Sequence, residues 1–208
     1  MEQLTAEQLR VVIVVYCSAL APLVLIPWLH WKQKIPAWIL PVYVMSFVVC
    51  ALGWEIWFTY GLLDGAPVNE RRAAALTAMI PQNINWMMNS LADAGSICVF
   101  GIFLLGLFFG RDSDVLTRWS WPAFLVLMTW FLAQNVLVEM FLYHDQLSVG
   151  KPLSWAPLAP TGPWWNPVLF EFRDRTITLQ GQLPWLIMGP MFYWGLTKYL
   201  QRREPPVG

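Results

Sequence analysis

The stretch ALGWEIWFTYG, residues 51–61, places a glutamate, Glu55, between two tryptophans in an apolar run that extends from 38 to 62. This run is long enough to cross a bilayer as a helix, because about 20 apolar residues cover the roughly 30 Å of hydrocarbon. It contains no lysine or arginine that could neutralise the carboxylate. The stretch therefore predicts a membrane-spanning helix and leaves the acid inside it to be explained.

The composition extends this prediction to the whole chain. Of its 208 residues, 57% are hydrophobic and 12% are charged, whereas soluble domains carry about 25% charged residues. The apolar residues form continuous runs, which excludes a β-barrel, whose strands alternate. The sequence predicts an all-α, polytopic integral membrane helix bundle that forms one domain over 1–208, with about five transmembrane helices. The expected spans are 10–30, 38–62, 86–109, 121–143 and 181–200.

Two connections between the spans are longer than turns. Residues 64–82 contain NERRAAALTAMI, which is typical of an amphipathic helix on the membrane surface. Residues 145–180 are rich in proline and tryptophan and too apolar for a solvated linker. That loop is expected to pack back over the bundle as a lid or a partly re-entrant segment.

Charge and cysteine content exclude several classes of function. The net charge is zero and no basic patch is present, so no nucleic-acid partner is expected. The three cysteines form no C-x-x-C motif, which argues against a thiol–disulfide oxidoreductase. Lysine and arginine are almost evenly divided between the two sides of the predicted bundle. The lysines and arginines on the side of the C-terminus lie closer to their spans, which favours an outside N-terminus and a cytoplasmic C-terminus.

Three acids lie inside the predicted spans, and no lysine or arginine accompanies them. Glu55 is in the second span, Asp93 in the third and Glu139 in the fourth. Each costs about 2.5–3.5 kcal/mol at the centre of a bilayer, so such acids are functional candidates. Because they lie on three different helices, we expect them to share one interior site as its catalytic residues.

Polar residues recur near these acids at helical spacing. Asn85, Asn89 and Asp93 are four residues apart, which places them on one face of the third span, and Asn135 precedes Glu139 by four. The substrate-binding candidates are amides and tryptophans close to the acids, namely Asn85, Asn89, Asn135, Gln182, Trp57, Trp86 and Trp185. The alternative is that the amides only join helices, through hydrogen bonds worth about 0.6 kcal/mol each.

These residue types together indicate acid–base chemistry on an apolar molecule. A carboxyl in apolar surroundings favours its neutral form and can donate a proton, whereas one in a wetter position stays ionised and can accept one. Indole faces stabilise a neighbouring cation by about 2 kcal/mol when water is excluded. Such a cavity suits a reaction through a carbocation, and it also suits the binding of a hydrophobic amine. Which acid donates and which accepts is not encoded in the spacing.

No metal site or cofactor is predicted. The two histidines, His30 and His144, lie near span ends that need not share a side of the membrane. No Gly-rich phosphate loop or dinucleotide fingerprint is present either.

The motif Glu55-Ile56-Trp57-Phe58 in a chain of five spans resembles the emopamil-binding and sigma-2-receptor group (EXPERA-type) of membrane proteins. Asn89 and Asp93 resemble its polar residues early in span three, and Gln182 with Trp185 its amide and tryptophan in the last span. The resemblance would cover about residues 36–203. It implies an isomerase that moves a sterol double bond by proton transfer, with Glu55 handling a proton and Trp185 facing the cation.

This chain departs from that pattern at three places. Ala51 stands where the isomerases carry a histidine, Asn89 and Asp93 compete for the position of their span-three glutamate, and the loop at 152–167 has no counterpart. The pair Trp54-Glu55 is also similar to one in the small membrane terpene cyclases, which usually have more spans.

Three hypotheses follow from the sequence. The first is a membrane enzyme that isomerises or cyclises a hydrophobic isoprenoid or sterol-like substrate. The second is a receptor for a lipid or a cationic amphiphile, and the third is a structural subunit of a larger membrane complex. The expected partners are the bilayer, a hydrophobic small molecule or lipid, and further copies of the chain in a homo-oligomer.

Overall fold

The computed structural model describes residues 4–61, 66–110, 113–142, 165–173 and 175–203. Seven helices and one hairpin are found in this part of the chain. The helices are α1 (Ala6–Trp31), α2 (Ile39–Tyr60), α3 (Val68–Arg71), α4 (Ala74–Met79), α5 (Gln82–Phe109), α6 (Trp121–Phe141) and α7 (Leu179–Gln201). The hairpin pairs β1 (Val168–Phe172) with β2 (Arg175–Thr178), and a 3₁₀ turn, Asp114–Leu116, precedes α6.

The predicted all-α fold is confirmed, with the hairpin as its small exception. Helices α1, α2, α5 and α6 are each long and apolar enough to cross a membrane, which identifies a membrane protein. The fifth predicted span forms α7, whose 23 residues would extend about 34 Å. It does not reach the apolarity of the other four, and it begins with the polar residues Gln180 and Gln182. A fifth crossing stays a prediction.

The helix ends follow from local sequence signals. Thr5 caps α1 by accepting from the Gln8 backbone N–H, and the Gln8 side chain accepts from the Thr5 N–H in return. Pro122 lies in the first turn of α6, where no N–H is needed. The apolar run places the start of this span at 86, because the residues before it are polar. Helix α5 nevertheless begins four residues earlier, at Gln82.

The bundle is packed through three close helix pairs. Helix α1 packs along α5, α6 packs along α7, and α2 packs against the middle of α5. The first pair depends on Gly95, because a Cβ at that position would collide with the ring of Pro22. Small residues permit this kind of close approach between membrane helices. Together these pairs leave a space between the five long helices.

The two long connections differ from expectation where they are described. Residues 66–81 form two short helices, α3 and α4, instead of one amphipathic helix, and Arg71 and Arg72 are buried. Residues 168–178 of the second connection form the hairpin, whose β1 exposes Val168, Leu169 and Phe170. Of the predicted lid or re-entrant segment at 145–180, residues 145–164 and 174 lie outside the described residues.

Candidate functional site: a cavity lined by three acids

A cavity of about 230 Å³ lies between the five long helices, and each of them contributes to its wall. Most of the wall is apolar. Its polar side chains are the three span acids with nearby amides and serines, namely Glu55, Asp93, Glu139, Asn89, Gln134, Asn135, Ser18 and Ser96. Three tryptophans complete it: Trp54 from α2, Trp130 from α6 and Trp185 from α7.

All three predicted acids line this cavity. Glu55 and Glu139 are 6% and 2% exposed, and Asp93 is half-buried. Among the described residues, no lysine, arginine or histidine belongs to the wall. The structure therefore brings three carboxyls into one apolar space whose wall includes no described cationic residue.

Two of the acids lie in π-helical segments that interrupt otherwise α-helical spans. Glu55 ends the π-segment Ala51–Glu55 in α2, and Asp93 begins the π-segment Asp93–Val99 in α5. A π-turn inserts one additional residue, which changes the direction of the side chains that follow it. Such segments occur frequently at functional sites. The wider turns help to direct side chains of α2 and α5 towards a common space.

Asp93 is held by a tryptophan of the neighbouring helix. The indole Nε1–H of Trp54 donates to Asp93 Oδ2 over 2.9 Å. The Trp54 ring packs against Trp185, with 5.2 Å between ring centroids, and Trp185 in turn packs against Phe131 at 5.0 Å. This contact fixes both the Asp93 carboxyl and an aromatic part of the cavity wall.

Glu139 belongs to a second network, which joins α6 to α7. Gln182 Nε2 donates to Glu139 Oε2 over 3.2 Å, and Asn135 Nδ2 donates to Gln182 Oε1 over 2.8 Å. The same Asn135 amide donates to the Gly181 carbonyl over 3.0 Å. Gly181 has no side chain to compete for this space, and a Cβ there would lie 2.5 Å from Glu139 Oε1. The carboxyl is thus oriented by amides.

Glu55 differs from the other two acids. Its Oε2 is buried and has no hydrogen-bond partner among the described residues. The Asn89 amide on α5 lies close enough to interact with the Glu55 carboxyl, and Asn89 Nδ2 has no other hydrogen-bond partner among the described residues. Buried polar atoms are usually satisfied. Glu55 Oε2 and the Asn89 amide, which lie together on one cavity wall, are therefore available to a ligand.

The structure separates the remaining predicted residues from the cavity wall. Asn85 instead accepts from Arg72 Nη1 over 2.8 Å and donates to Thr59 Oγ1 over 3.3 Å. Trp86 donates to the Ala51 carbonyl over 2.8 Å, and Trp57 is half-buried outside the wall. Gln182 is not part of the wall but reaches it through Glu139.

Several lining residues were not among the sequence candidates. Trp54 and Trp130 are close to the acids in sequence, and that proximity was the available signal. Trp130 also donates to the Ile97 carbonyl over 3.0 Å. Helix α1 contributes Val11 and Ser18 to the wall, and no polar pattern in the first span indicated this. Its involvement depends on tertiary packing alone.

Two buried arginines were also missed, because the sequence places them in the amphipathic connection between the second and third spans. Arg71 and Arg72 are 8% and 5% exposed. Burial lowers the pKa of the Arg71 guanidinium to about 10, and the negative field of Glu55 opposes that shift. Burial, with a smaller contribution from neighbouring Arg71, lowers the pKa of Arg72 to about 10 as well. The acid that has no cation nearby in sequence therefore interacts with one in space.

No metal centre can be built from the described ranges. They contain no group of three or more His, Cys, Asp and Glu side chains placed to hold an ion. His144 lies outside the described residues.

The fold and the site together define a class of protein: a polytopic α-helical membrane protein with an acid-lined, tryptophan-rich internal cavity. Comparison with family models, curated proteins and solved structures finds no match to this chain. The resemblance to the emopamil-binding group therefore stays an expectation from short motifs.

Proposed function

We propose that the chain is a small integral-membrane enzyme that carries out acid–base isomerisation or cyclisation of a hydrophobic isoprenoid-like substrate. The observation that supports this most directly is the convergence of Glu55, Asp93 and Glu139 on one apolar cavity. A proton-transfer enzyme needs a donor and an acceptor on different sides of one substrate. A structural subunit would instead fill its polar faces with neighbouring side chains and would need no such cavity.

The hydrogen bonds of the three acids support a division of roles. Asp93 and Glu139 accept bonds from N–H groups, which favour an ionised carboxylate and so suit a proton acceptor. Glu55 Oε2 has no partner among the described residues, so a proton on this carboxyl would be available to a substrate. Glu55 is thus the proposed donor, with Asp93 or Glu139 as the acceptor.

The reaction proceeds without an oxidant or a reductant. The Glu55 O–H bond breaks and its proton forms a C–H bond at one alkene carbon, which leaves a cation on the neighbouring carbon. For isomerisation, Asp93 or Glu139 then removes a proton from an adjacent carbon, and that C–H electron pair becomes the new double bond. For cyclisation, a second alkene of the substrate attacks the cation before the proton is lost. The faces of Trp54, Trp130 and Trp185 stabilise the positive charge in between.

The size of the cavity favours a small substrate. Its volume of about 230 Å³ lies below the roughly 300–1,000 Å³ of common ligand pockets. A short isoprenoid, or the reacting end of a larger one, suits this volume better than an entire sterol. The proposed substrate is accordingly a neutral isoprenoid alkene.

The experiment uses the full chain in nanodiscs made in D₂O, with a panel of neutral isoprenoid alkenes. Turnover would place deuterium from the solvent at the protonated carbon, which mass spectrometry detects. Replacing Glu55 with Gln should reduce incorporation by about 10²- to 10⁴-fold, the usual contribution of general acid–base groups, and so should whichever of Asp93→Asn and Glu139→Gln removes the acceptor. Glu171→Gln on exposed β1 is the matched control and should retain full activity.

The second candidate is a receptor for a hydrophobic amine. It is favoured by a specific observation, namely that three acids and three tryptophans line the cavity whereas no described cationic residue does. Binding of a tertiary amine that is weakened by Glu55→Gln, in a protein that never incorporates deuterium, would support this function over the enzyme. Incorporation that survives in Glu55→Gln, Asp93→Asn and Glu139→Gln alike would refute acid–base catalysis by these residues.

A further inference from the structure

Arg71 and Arg72 form a pair of adjacent, buried guanidiniums outside every predicted span. Burying a charge is costly unless a partner or hydrogen bonds compensate it. The described residues form one ion pair in direct contact. It joins Arg118 to Asp114 at 3.7 Å on the surface. Neither buried arginine therefore has a direct carboxylate partner in that part of the chain.

The environment of Arg72 accounts for its burial. Its Nη1 donates to Asn85 Oδ1 over 2.8 Å, its Nη2 to the Ile80 carbonyl, and its Nε to Thr77 Oγ1 over 3.3 Å. Each of the three guanidinium nitrogens thus has an acceptor. These contacts tie α4 and the start of α5 together, which is a structural role.

The environment of Arg71 does not account for its burial in the same way. Its Nη2 donates to the Phe58 carbonyl, and its guanidinium lies 4.8 Å from the centroid of the Phe58 ring. Its Nε is buried without a hydrogen-bond partner among the described residues. One contact and an aromatic face leave most of a buried positive charge uncompensated.

The position of Phe58 shows which acid this charge acts on. Phe58 lines the cavity and lies three residues after Glu55, which places the two side chains one helical turn apart on the same face. Arg71, through its contacts with Phe58, therefore lies behind the cavity wall beside the turn of α2 that follows the proposed proton donor. Within the described ranges, the charged groups that act on Glu55 are Asp93 from α5 and Arg71 from α3.

We propose that Arg71 is a positioning residue that stabilises the ionised form of Glu55, so that Glu55 can release a proton into the cavity. The inference rests on the proposed function of the site. In a medium of low dielectric, a charge acts well beyond direct contact. When Glu55 loses its proton, two negative charges would otherwise face each other across α2 and α5. Arg71 offsets this repulsion without entering the cavity and without blocking the acid by an ion pair.

The test measures the protonation of Glu55 by infrared difference spectroscopy on the full chain in nanodiscs, with Glu55→Gln identifying the band. Arg71→Gln removes the charge but keeps an N–H donor for the Phe58 carbonyl, whereas Arg71→Lys keeps the charge. An opposite charge at close range changes the ratio of the ionised to the protonated form of a carboxyl by a factor of about ten or more. The ratio of protonated to ionised Glu55 should therefore increase about tenfold in Arg71→Gln and change little in Arg71→Lys.

Arg72→Gln is the matched control, because it removes an equally buried charge from the adjacent residue. An unchanged Glu55 band in Arg71→Gln, or an equal change in Arg72→Gln, would overturn the proposal. Where Arg71→Gln cannot be purified, the double variant Arg71→Gln/Glu55→Gln decides. Recovery of folded double variant supports a pairing of the two charges, and recovery no better than for Arg71→Gln contradicts it.

The infrared measurement also separates this inference from the proposed function. A change in Glu55 protonation in Arg71→Gln, without any isoprenoid turnover by the protein, would support the role of Arg71 and refute the proposed enzyme function. Turnover that depends on Glu55, together with a Glu55 band that is the same in Arg71→Gln as in the unmodified protein, would support the enzyme function and refute the role of Arg71. If both hold, Arg71→Gln should lower turnover and Arg71→Lys should restore most of it.

Discussion

Trp54 donates its indole N–H to the Asp93 carboxyl over 2.9 Å, and each residue lies in a π-helical segment of its own span. A hydrogen bond to a carboxylate is worth about 1.5–3 kcal/mol. We expect Trp54→Phe, which keeps an aromatic ring, to lower the free energy of unfolding by about 2 kcal/mol. If Asp93 accepts the proton, turnover should fall at least about tenfold, since about 1.4 kcal/mol corresponds to that factor.

Trp86→Phe is the control for this prediction. It also loses an indole hydrogen bond, of 2.8 Å, but the acceptor is the Ala51 carbonyl and not an acid. Both variants should lose stability in thermal unfolding, and only Trp54→Phe should lose activity beyond that. Equal activity losses in the two variants would contradict a role for the Trp54–Asp93 bond at the site.

Gly181→Ala should disturb the orientation of Glu139. The new Cβ would lie 2.5 Å from Glu139 Oε1, so the carboxyl must move and its bond from Gln182 must lengthen. Gly195 lies in the same helix with nothing within 4 Å of the corresponding position. Gly195→Ala should therefore stabilise α7 by about 0.5–1 kcal/mol. Thermal unfolding and turnover are measured for both; a neutral Gly181→Ala would mean that Glu139 does not need this position.

Gly95→Ala should loosen the packing of α1 against α5. The added Cβ would collide with the Pro22 ring, and overpacking of this kind costs about 1–3 kcal/mol. Gly106→Ala in the same helix meets nothing within 4 Å and serves as the control. Unfolding of detergent-solubilised protein should occur at a lower temperature in the first variant alone. Identical unfolding of both variants would disprove the close α1–α5 contact.

The orientation in the membrane can be predicted from charges that remain exposed. At the end where α7 finishes, near the start of α6, the exposed charged residues in the described part of the chain are Lys32, Lys34, Arg118, Lys198, Arg202, Arg203 and the acid Asp114. At the other end the described exposed charges are Arg10 and Arg173 against Glu7, Glu70 and Glu171. Because cationic ends face the cytoplasm, the C-terminal end of α7 is expected there.

Cysteine labelling of intact cells tests this orientation. In a Cys17→Ser background, a membrane-impermeant maleimide should modify Glu171→Cys and leave Lys34→Cys unmodified until the cells are opened. The reverse pattern would invert the orientation. Labelling of both positions at the same rate in intact cells would contradict a transmembrane arrangement of the bundle.

Much of the architecture could be predicted from the sequence because lipid imposes it. A continuous apolar run must satisfy its backbone internally, so it forms a helix wherever it lies in the bilayer. Acids in such runs must face the interior, which made Glu55, Asp93 and Glu139 recognisable as a set. Helix α7 was predictable as a helix, but its amide-rich first turn lowers its apolarity below that of the other four.

Other features of the site could not be predicted, for identifiable physical reasons. The spacing that placed Asn85 with Asn89 on one helical face could not tell which neighbouring residues each of them meets. Asn85 accepts a hydrogen bond from Arg72, a residue of the connection between the second and third spans. The π-segments have no sequence signal of comparable strength, because one additional residue per turn depends on packing against the neighbouring helix.

The sequence by itself determined that this is a helical membrane protein with three carboxyls inside its spans, since hydrophobic length and the cost of buried charge are properties of each segment alone. Only the tertiary structure decided what surrounds those carboxyls. It brought Trp54 to Asp93, Gln182 to Glu139 and Arg71 to the neighbourhood of Glu55. These pairings join residues far apart in the chain, and they depend on how the helices rotate and pack against one another, which no single segment encodes.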